Sequence, residues 1–337
     1  MKHILKLKIT FYVLAFSLII ISCNNNNSGT NNNPKDSLAI LTEQIHKNPH
    51  DALLFSKRAK LYFSNKKLNE AIIDAEFAVK IDSLKTQYYV QLCEYYILAA
   101  KSEKAKDILL KCNKLVPDNI DILLKLSELY LFVKQYDESM NYLQMAQEVD
   151  KQVPRIYFLR GIIFKEKGDT AKAINNFQIT VDKDPQYYDA YVMLGLLYYR
   201  KQDSLAIDYY KAAINLKPKS IEAHYGLAMF YQENKKEKNA IDEYNLIINT
   251  IDSTYIFAWY NIGYVNLEYL KNYKEAIKYF TKTLQIDSTY IEAYYNRGYC
   301  YEKLHDFKKA KEAYMKCKQI IPNYELAVKG LNRLDRE

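Results

Sequence analysis

Tryptophan is almost absent from this 337-residue chain: one Trp stands against 33 Tyr and 13 Phe. Most of the aromatic mass therefore carries a hydroxyl, which needs water or a partner when its ring is buried. Glycine is scarce too, at 8 residues, so irregular loops are few. Those glycines form no phosphate-cradling loop and no G-x-S-x-G elbow. The histidines, His3, His46, His50, His224 and His305, do not read as a helical metal site, and the cysteines include no CxxC pair, so no metal and no cofactor is expected. These absences leave catalysis without support, and the expectation is a protein that is not an enzyme. A block of one charge sign is missing as well. The formal charge is +8, but acids and bases alternate along the later part of the chain, as on a solvated, salt-bridged surface, so no nucleic acid is expected as a partner.

There is a single long apolar run, at the start. Residues 1–23 read MKHILKLKITFYVLAFSLIIISC, a basic opening followed by 13 residues from Ile9 to Ile21 broken only by Thr10 and Ser17. As a helix the run spans roughly 20 Å, short of a ~30 Å bilayer core, so residues 1–22 read as a cleaved signal peptide rather than a membrane span. Its end, Ile20-Ile21-Ser22-Cys23, resembles a bacterial lipobox: an aliphatic residue, a small residue at the cleavage position, then cysteine. The resemblance implies that Cys23 becomes the lipidated N-terminus. Acyl chains contribute ~0.8 kcal/mol per buried methylene, and several together hold a protein on a membrane durably. Losing Lys2, Lys6 and Lys8, with no acid beside them, leaves the mature chain near +5. Residues 23–37 continue as an Asn-rich stretch without hydrophobic periodicity, expected to be a disordered tether.

From Leu38 onward the sequence repeats itself. Leu38 to Lys47 reads as one amphipathic capping helix, and full units of two helices then open near Ala52, Thr86, Ile120, Pro154, Tyr188, Ile221, Ile256 and Ile291. The units are 52–85, 86–119, 120–153, 154–187, 188–220, 221–255, 256–290 and 291–324, and 325–337 reads as a polar capping helix. Counting from each opening residue, the eighth slot is always small (Ala59, Cys93, Ser127, Gly161, Gly195, Ala228, Gly263, Gly298), and so is the twentieth (Ala71, Ala105, Ser139, Ala173, Ala206, Ala240, Ala276, Ala310). Two antiparallel helices need small residues where their backbones come closest. The eleventh slot is aromatic except at Asn266. One-residue changes of spacing are expected at turns: Lys201 to Leu205, around Asp252 to Tyr255, and Tyr269 to Tyr273.

This set of slots resembles the tetratricopeptide repeat family over roughly residues 38–324. Phe55, Tyr89, Tyr157, Tyr191, Trp259 and Tyr294 meet its aromatic fourth slot, which Leu123 and His224 do not. Pro117, Pro185, Pro218 and Pro322 meet its late proline. The resemblance implies an all-α solenoid of about eight helix-turn-helix units in a right-handed superhelix, with capping helices at both ends.

After Cys23 the cysteines are Cys93, Cys112, Cys300 and Cys317, whose slots stand on the order of 10 Å out of register for a disulfide, so buried free thiols are expected. The remaining signal is a stripe at slots 5, 9 and 12 of each first helix, on the face away from the partner helix, which in the family lines a concave groove. In the early units it holds Ser56, Lys60, Phe63, Glu94 and Glu128. From the fourth unit it turns apolar: Phe158, Ile162, Val192, Leu196, Tyr199, Tyr225, Met229, Tyr260, Tyr264, Leu267, Tyr295 and Tyr299. Such a stripe marks either a binding surface or packing between units. Asn261 and Asn296, at slot six, resemble family asparagines that hold the backbone of a bound peptide.

The expectation is a membrane-anchored protein–protein interaction scaffold of the bacterial cell envelope, on the outer membrane, binding a peptide segment or helix of another envelope protein. The alternative is a glycan or small-ligand binder that uses the same tyrosines.

Overall fold

The computed structural model describes residues 34–336; the expected signal peptide, Cys23 and most of the expected tether lie outside the described residues. Within them the fold is all-helical, with eighteen α-helices. α1 (Pro34–Lys47) precedes the pairs α2 (Ala52–Ser64) and α3 (Leu68–Ile81), α4 (Thr86–Leu98) and α5 (Ser102–Leu115), and α6 (Ile120–Phe132) and α7 (Tyr136–Val149). α8 (Pro154–Glu166) ends the first of two compact units, at Lys167, and α9 (Thr170–Lys183) opens the second, Gly168–Glu337. That unit continues with α10 (Tyr188–Arg200) and α11 (Leu205–Leu216), α12 (Ile221–Glu233) and α13 (Glu237–Leu246), α14 (Ile256–Glu268) and α15 (Tyr273–Ile286), α16 (Ile291–Lys303) and α17 (Phe307–Ile320), and α18 (Glu325–Leu334). Inside each unit every helix packs on the ones before and after it, as in a solenoid. Each first helix begins at a residue that opens a sequence repeat. α1 begins earlier than the expected cap: it takes in Pro34 to Ser37, because proline is tolerated in a first turn whose N–H groups have no helical acceptor.

The small slots are where the helices touch. Every eighth-slot and every twentieth-slot residue is buried, from Ala59 and Ala71 to Gly298 and Ala310. Aromatic rings of the second helices fill the space left over: Phe177, Tyr244, Phe280 and Tyr314 are all fully buried.

In six of the eight repeats the turn between the two helices is a Schellman cap. In the first, Lys67 N–H donates to Tyr62 O (2.9 Å) and Lys66 N–H to Phe63 O (2.9 Å), with Lys66 in the left-handed region at φ 61°. The same pair of bonds recurs at Tyr96, Tyr130, Tyr198, Tyr231 and Tyr301, so the aromatic eleventh slot also supplies the capping carbonyl. Around Asn266, the exception, the turn is one residue longer and Asn272 N–H bonds Asn266 O at 2.8 Å.

One spacing change lies elsewhere than expected. The extra residue of the 221–255 unit is inside the helix: after α13 the chain makes a π-helical turn, Ile247–Ile251, closed by Asp252 N–H to Ile247 O at 2.8 Å. A single inserted residue widens one turn and leaves both helix ends in register, which is the usual origin of such a turn.

Candidate functional site

In the second unit the stripe predicted on α10, α12, α14 and α16 is present but covered more than its sequence suggests. Val192, Asn261 and Asn296 are buried, and Leu196, Tyr199, Tyr225, Met229, Tyr260, Tyr264, Tyr295 and Tyr299 are half-buried. The fifth slot does not face away from the partner helix. The Tyr225 ring lies 5.8 Å from Tyr244 of α13, Tyr260 5.7 Å from Phe280 of α15, and Tyr295 5.7 Å from Tyr314 of α17. The second-helix rings sit beneath the small eighth slot and project far enough to meet the fifth, a reach that slot spacing alone does not convey.

A second layer of tyrosines comes from the residue before each next first helix. Tyr255 packs edge-on against Tyr225 at 5.6 Å, Tyr290 lies 5.0 Å from Tyr260, and Tyr324 stands edge-on 6.3 Å from Tyr295. The slot-six asparagines lock this arrangement between units. Asn261 Nδ2 donates to the hydroxyls of Tyr225 (3.0 Å) and Tyr244 (3.1 Å), and Asn296 Nδ2 donates to that of Tyr260 (2.9 Å). The amide donors of Asn261 are thus taken up within the fold, as is one of the two of Asn296. Tyr199 O–H donates to Glu233 Oε1 (2.6 Å). Burial, then neighbouring phenols and carboxylates, push Tyr199, Tyr255, Tyr260 and Tyr290 above the usual phenol range, and burial, opposed by the Asn261 hydrogen bond, does the same to Tyr225, so these rings are neutral donors and acceptors at any physiological pH.

In the first unit, Phe158 and Ile162 of α8 are half-buried. A cavity of about 730 Å³ opens there instead on α2, α4, α6 and α8, with Phe63, Val90, Tyr95 and Leu98 among its apolar walls and Lys60, Glu94, Lys125, Glu128 and Arg155 among its charged ones. Lys125 Nζ lies 3.2 Å from Glu94 and 3.4 Å from Glu128, and Arg155 Nε donates to Glu128 at 2.6 Å. Beneath them Ser56, which the stripe reading takes as a surface residue, is buried: its hydroxyl donates to Gln91 Oε1 (2.6 Å), and Gln91 Nε2 donates to Ser56 O and Tyr95 Oη, both at 3.0 Å. Sequence reasoning passed over this cavity because charged residues are interspersed among its apolar walls, so the stripe here reads as ordinary surface. The signal available was Gln91, which with Glu94 interrupts the apolar and aromatic run of α4.

The four cysteines described are free and buried, and burial pushes Cys93, Cys300 and Cys317 up to about 12 and Cys112 to about 11, the behaviour of inert packing thiols. His46 and His50 are four residues apart, but α1 ends at Lys47, so they do not share a helix. Among the described residues no group of three or more His, Cys, Asp or Glu is placed to hold a metal, and no helix is long and apolar enough to cross a membrane.

Comparison with known proteins places these features in a family. The tetratricopeptide repeat matches at residues 158–221, 258–290 and 291–324. Among curated proteins, the chain is 25% identical over 183 residues to the BBSome complex member BBS4 homolog of Drosophila melanogaster, covering 54% of this chain and 37% of that protein. It is 24% identical over 247 residues to the peroxisomal targeting signal receptor of Candida albicans, covering 70% and 41%. The chain thus spans less than half the length of either. Among solved structures, the C-terminal part of a TPR repeat-containing protein from Cytophaga hutchinsonii superposes with TM-score 0.62 at 20% identity, over 71% of this chain and 98% of that one. A tetratricopeptide repeat protein from Parabacteroides merdae superposes with TM-score 0.50 at 16% identity, over 74% and 98%. With the repeat matched in sequence over these three segments and its helix pairs present in the fold, the chain carries tetratricopeptide repeats.

Proposed function

We propose that this chain is a protein–protein interaction scaffold, a lipid-anchored, non-enzymatic protein of a bacterial cell envelope held on the outer membrane through Cys23, and that the tyrosine face of α12, α14 and α16 holds a peptide segment or helix of another envelope protein. One observation carries the binding reading. The rings on this face are fixed by one another, yet the hydroxyls of Tyr255, Tyr264 and Tyr290 have no hydrogen-bond partner among the described residues. Rigid aromatic surface with free hydroxyls loses little entropy on binding and offers both apolar contact and polar anchoring. The names of the relatives, a peroxisomal targeting signal receptor and a BBSome complex member, are in keeping with this reading. The anchor is supported by the apolar run and lipobox-like end of residues 9–23.

Two experiments test it. A photocrosslinking amino acid placed at Tyr264 or Tyr299 in cells is expected to trap one envelope protein; recovery of polysaccharide or cell-wall fragments in its place would replace the reading with glycan binding. The Cys23→Ser form is expected to leave the membrane fraction. If it sediments with membranes as the parent does, the lipid anchor is wrong.

A further inference from the structure

Charge is distributed unevenly between the first and second helices of the second unit. α10, α12, α14 and α16 together carry six acids (Asp189, Glu222, Glu233, Glu268, Glu292, Glu302) against three bases (Arg200, Arg297, Lys303), whereas α15 and α17 carry eight lysines and only two acids. Asp189, Glu222 and Glu292 stand at the second slot of their helices, one turn before the fifth, and none has a salt bridge or hydrogen bond among the described residues. They lie beside the tyrosines. After burial itself, Glu222 is among the groups that raise Tyr255, and Glu292 among those that raise Tyr260 and Tyr290. Glu222 is itself pushed up, first by burial and then by Asp189, with Lys217 opposing. Lys217 acts on Glu222 only from a distance, and neither Glu222 nor Glu292 has a cation within salt-bridge reach among the described residues.

The same surface shows how it takes one. At its end Arg333 of α18 donates to both oxygens of Glu302, from Nε at 2.8 Å and Nη2 at 2.9 Å, while its guanidinium stands 5.9 Å from the centre of the Tyr299 ring. Lys217 Nζ lies 3.8 Å over the ring of Tyr188. Cations over tyrosine faces with a carboxylate in reach are favourable, more so when partly desolvated.

We infer that the segment held on this face is cationic: a peptide stretch whose Lys or Arg side chains lie over the tyrosine rings and pair with Glu222 and Glu292. The inference rests on the reading of this face as a protein-binding surface and names the chemistry of what binds. The chain as a whole is basic, at +8, so bulk charge does not favour such a partner and the local carboxylates must supply the attraction.

The test is capture of a random 12-residue peptide library on the detergent-solubilised full chain carrying a photocrosslinker at Tyr264. Peptides crosslinked there are expected to be enriched in Lys and Arg and depleted in Asp and Glu. Their affinity is expected to fall with salt and to drop roughly fivefold in each of Glu222→Gln and Glu292→Gln at unchanged melting temperature, with Glu275→Gln on α15 as the unaffected control. Crosslinked peptides with the charge composition of the input, or binding indifferent to both substitutions, would overturn the cationic assignment while leaving the face a binding surface. Crosslinking of no peptide of any charge would count against that surface as well.

Discussion

The amide nitrogen of Asn296 donates to the hydroxyl of Tyr260, 36 residues earlier in the chain, at 2.9 Å. The bond ties α16 to α14, and Asn261 makes the equivalent tie from α14 to Tyr225 of α12. A buried amide of this kind contributes about 1 kcal/mol, and removing one partner costs more because the other is left unmade. Asn296→Ala is therefore expected to lower stability by about 1–2 kcal/mol in urea unfolding. Coupling with Tyr260→Phe in a double-mutant cycle is expected at about 0.5–1.5 kcal/mol. An Asn296 variant of unchanged stability that loses only partner capture would make this asparagine a peptide clamp instead.

Tyr314 is held between two glycines. A Cβ at Gly298 would stand 2.8 Å from its ring, and one at Gly330 of α18 2.6 Å from it, on the other edge. The ring cannot retreat, since it is fully buried and its hydroxyl donates to Glu302 at 2.6 Å. Alanine is favoured over glycine in a helix by about 1 kcal/mol, but overpacking of this kind costs about 1–3 kcal/mol. Gly298→Ala is expected to lower the melting temperature despite its better helix propensity, and a rise would show that the α16–α18 layer has slack.

The unit-internal turns use a left-handed residue throughout, yet among them only Gly168, at φ 82°, is a glycine. Lys66, Ala100, Lys134, Gln202, Lys235, Lys271 and His305 hold φ between 54° and 61°, where a side chain costs roughly 1–2 kcal/mol. Lys235→Gly keeps the backbone bond to Gln232 O and removes that cost, against some added freedom of the unfolded chain. A gain of about 0.5–1 kcal/mol is expected, read from the urea midpoint.

The period of the repeat made the helix pairs legible, because slots 8 and 20 are fixed by how closely two helices approach, a local constraint that every unit must meet. What lies between units was harder to read. Spacing puts Tyr225, Tyr260 and Tyr295 on one stripe, but their burial depends on rings from the next turn, Tyr255, Tyr290 and Tyr324, and on asparagines of the next helix. Tyr295, set against Tyr314, is thus a poorer probe of binding than Tyr264 or Tyr299. The π-helical turn at Ile247–Ile251 was invisible for a related reason: an inserted residue shows in the sequence only as a longer unit, and nothing there says whether helix or loop absorbs it. In the first unit, a stripe whose charges looked like ordinary surface lines a cavity, with Lys125 and Arg155 paired to its carboxylates.

His224, where most units carry an aromatic, sets a pH dependence. Its Nδ1 lies 2.6 Å from Glu243 Oε2 and its Nε2 3.1 Å from the carbonyl of Pro218. Both partners are acceptors, so only the doubly protonated ring can donate to each. Burial pushes its pKa down, but the hydrogen bonds to Glu243 and Pro218 and the charge of Glu243 outweigh it, and the net shift is upward. With the folded value above an unfolded value of about 6.5, the stabilisation is fully present below about pH 6.5 and is lost as the pH rises through the folded value. The melting temperature is therefore expected to fall between pH 6 and pH 8.5. In His224→Phe, which restores the ring found at Phe55 in the first pair, that part of the slope should vanish. Parallel pH profiles for the two proteins would mean that the imidazole is neutral and that one of its two bonds is not made.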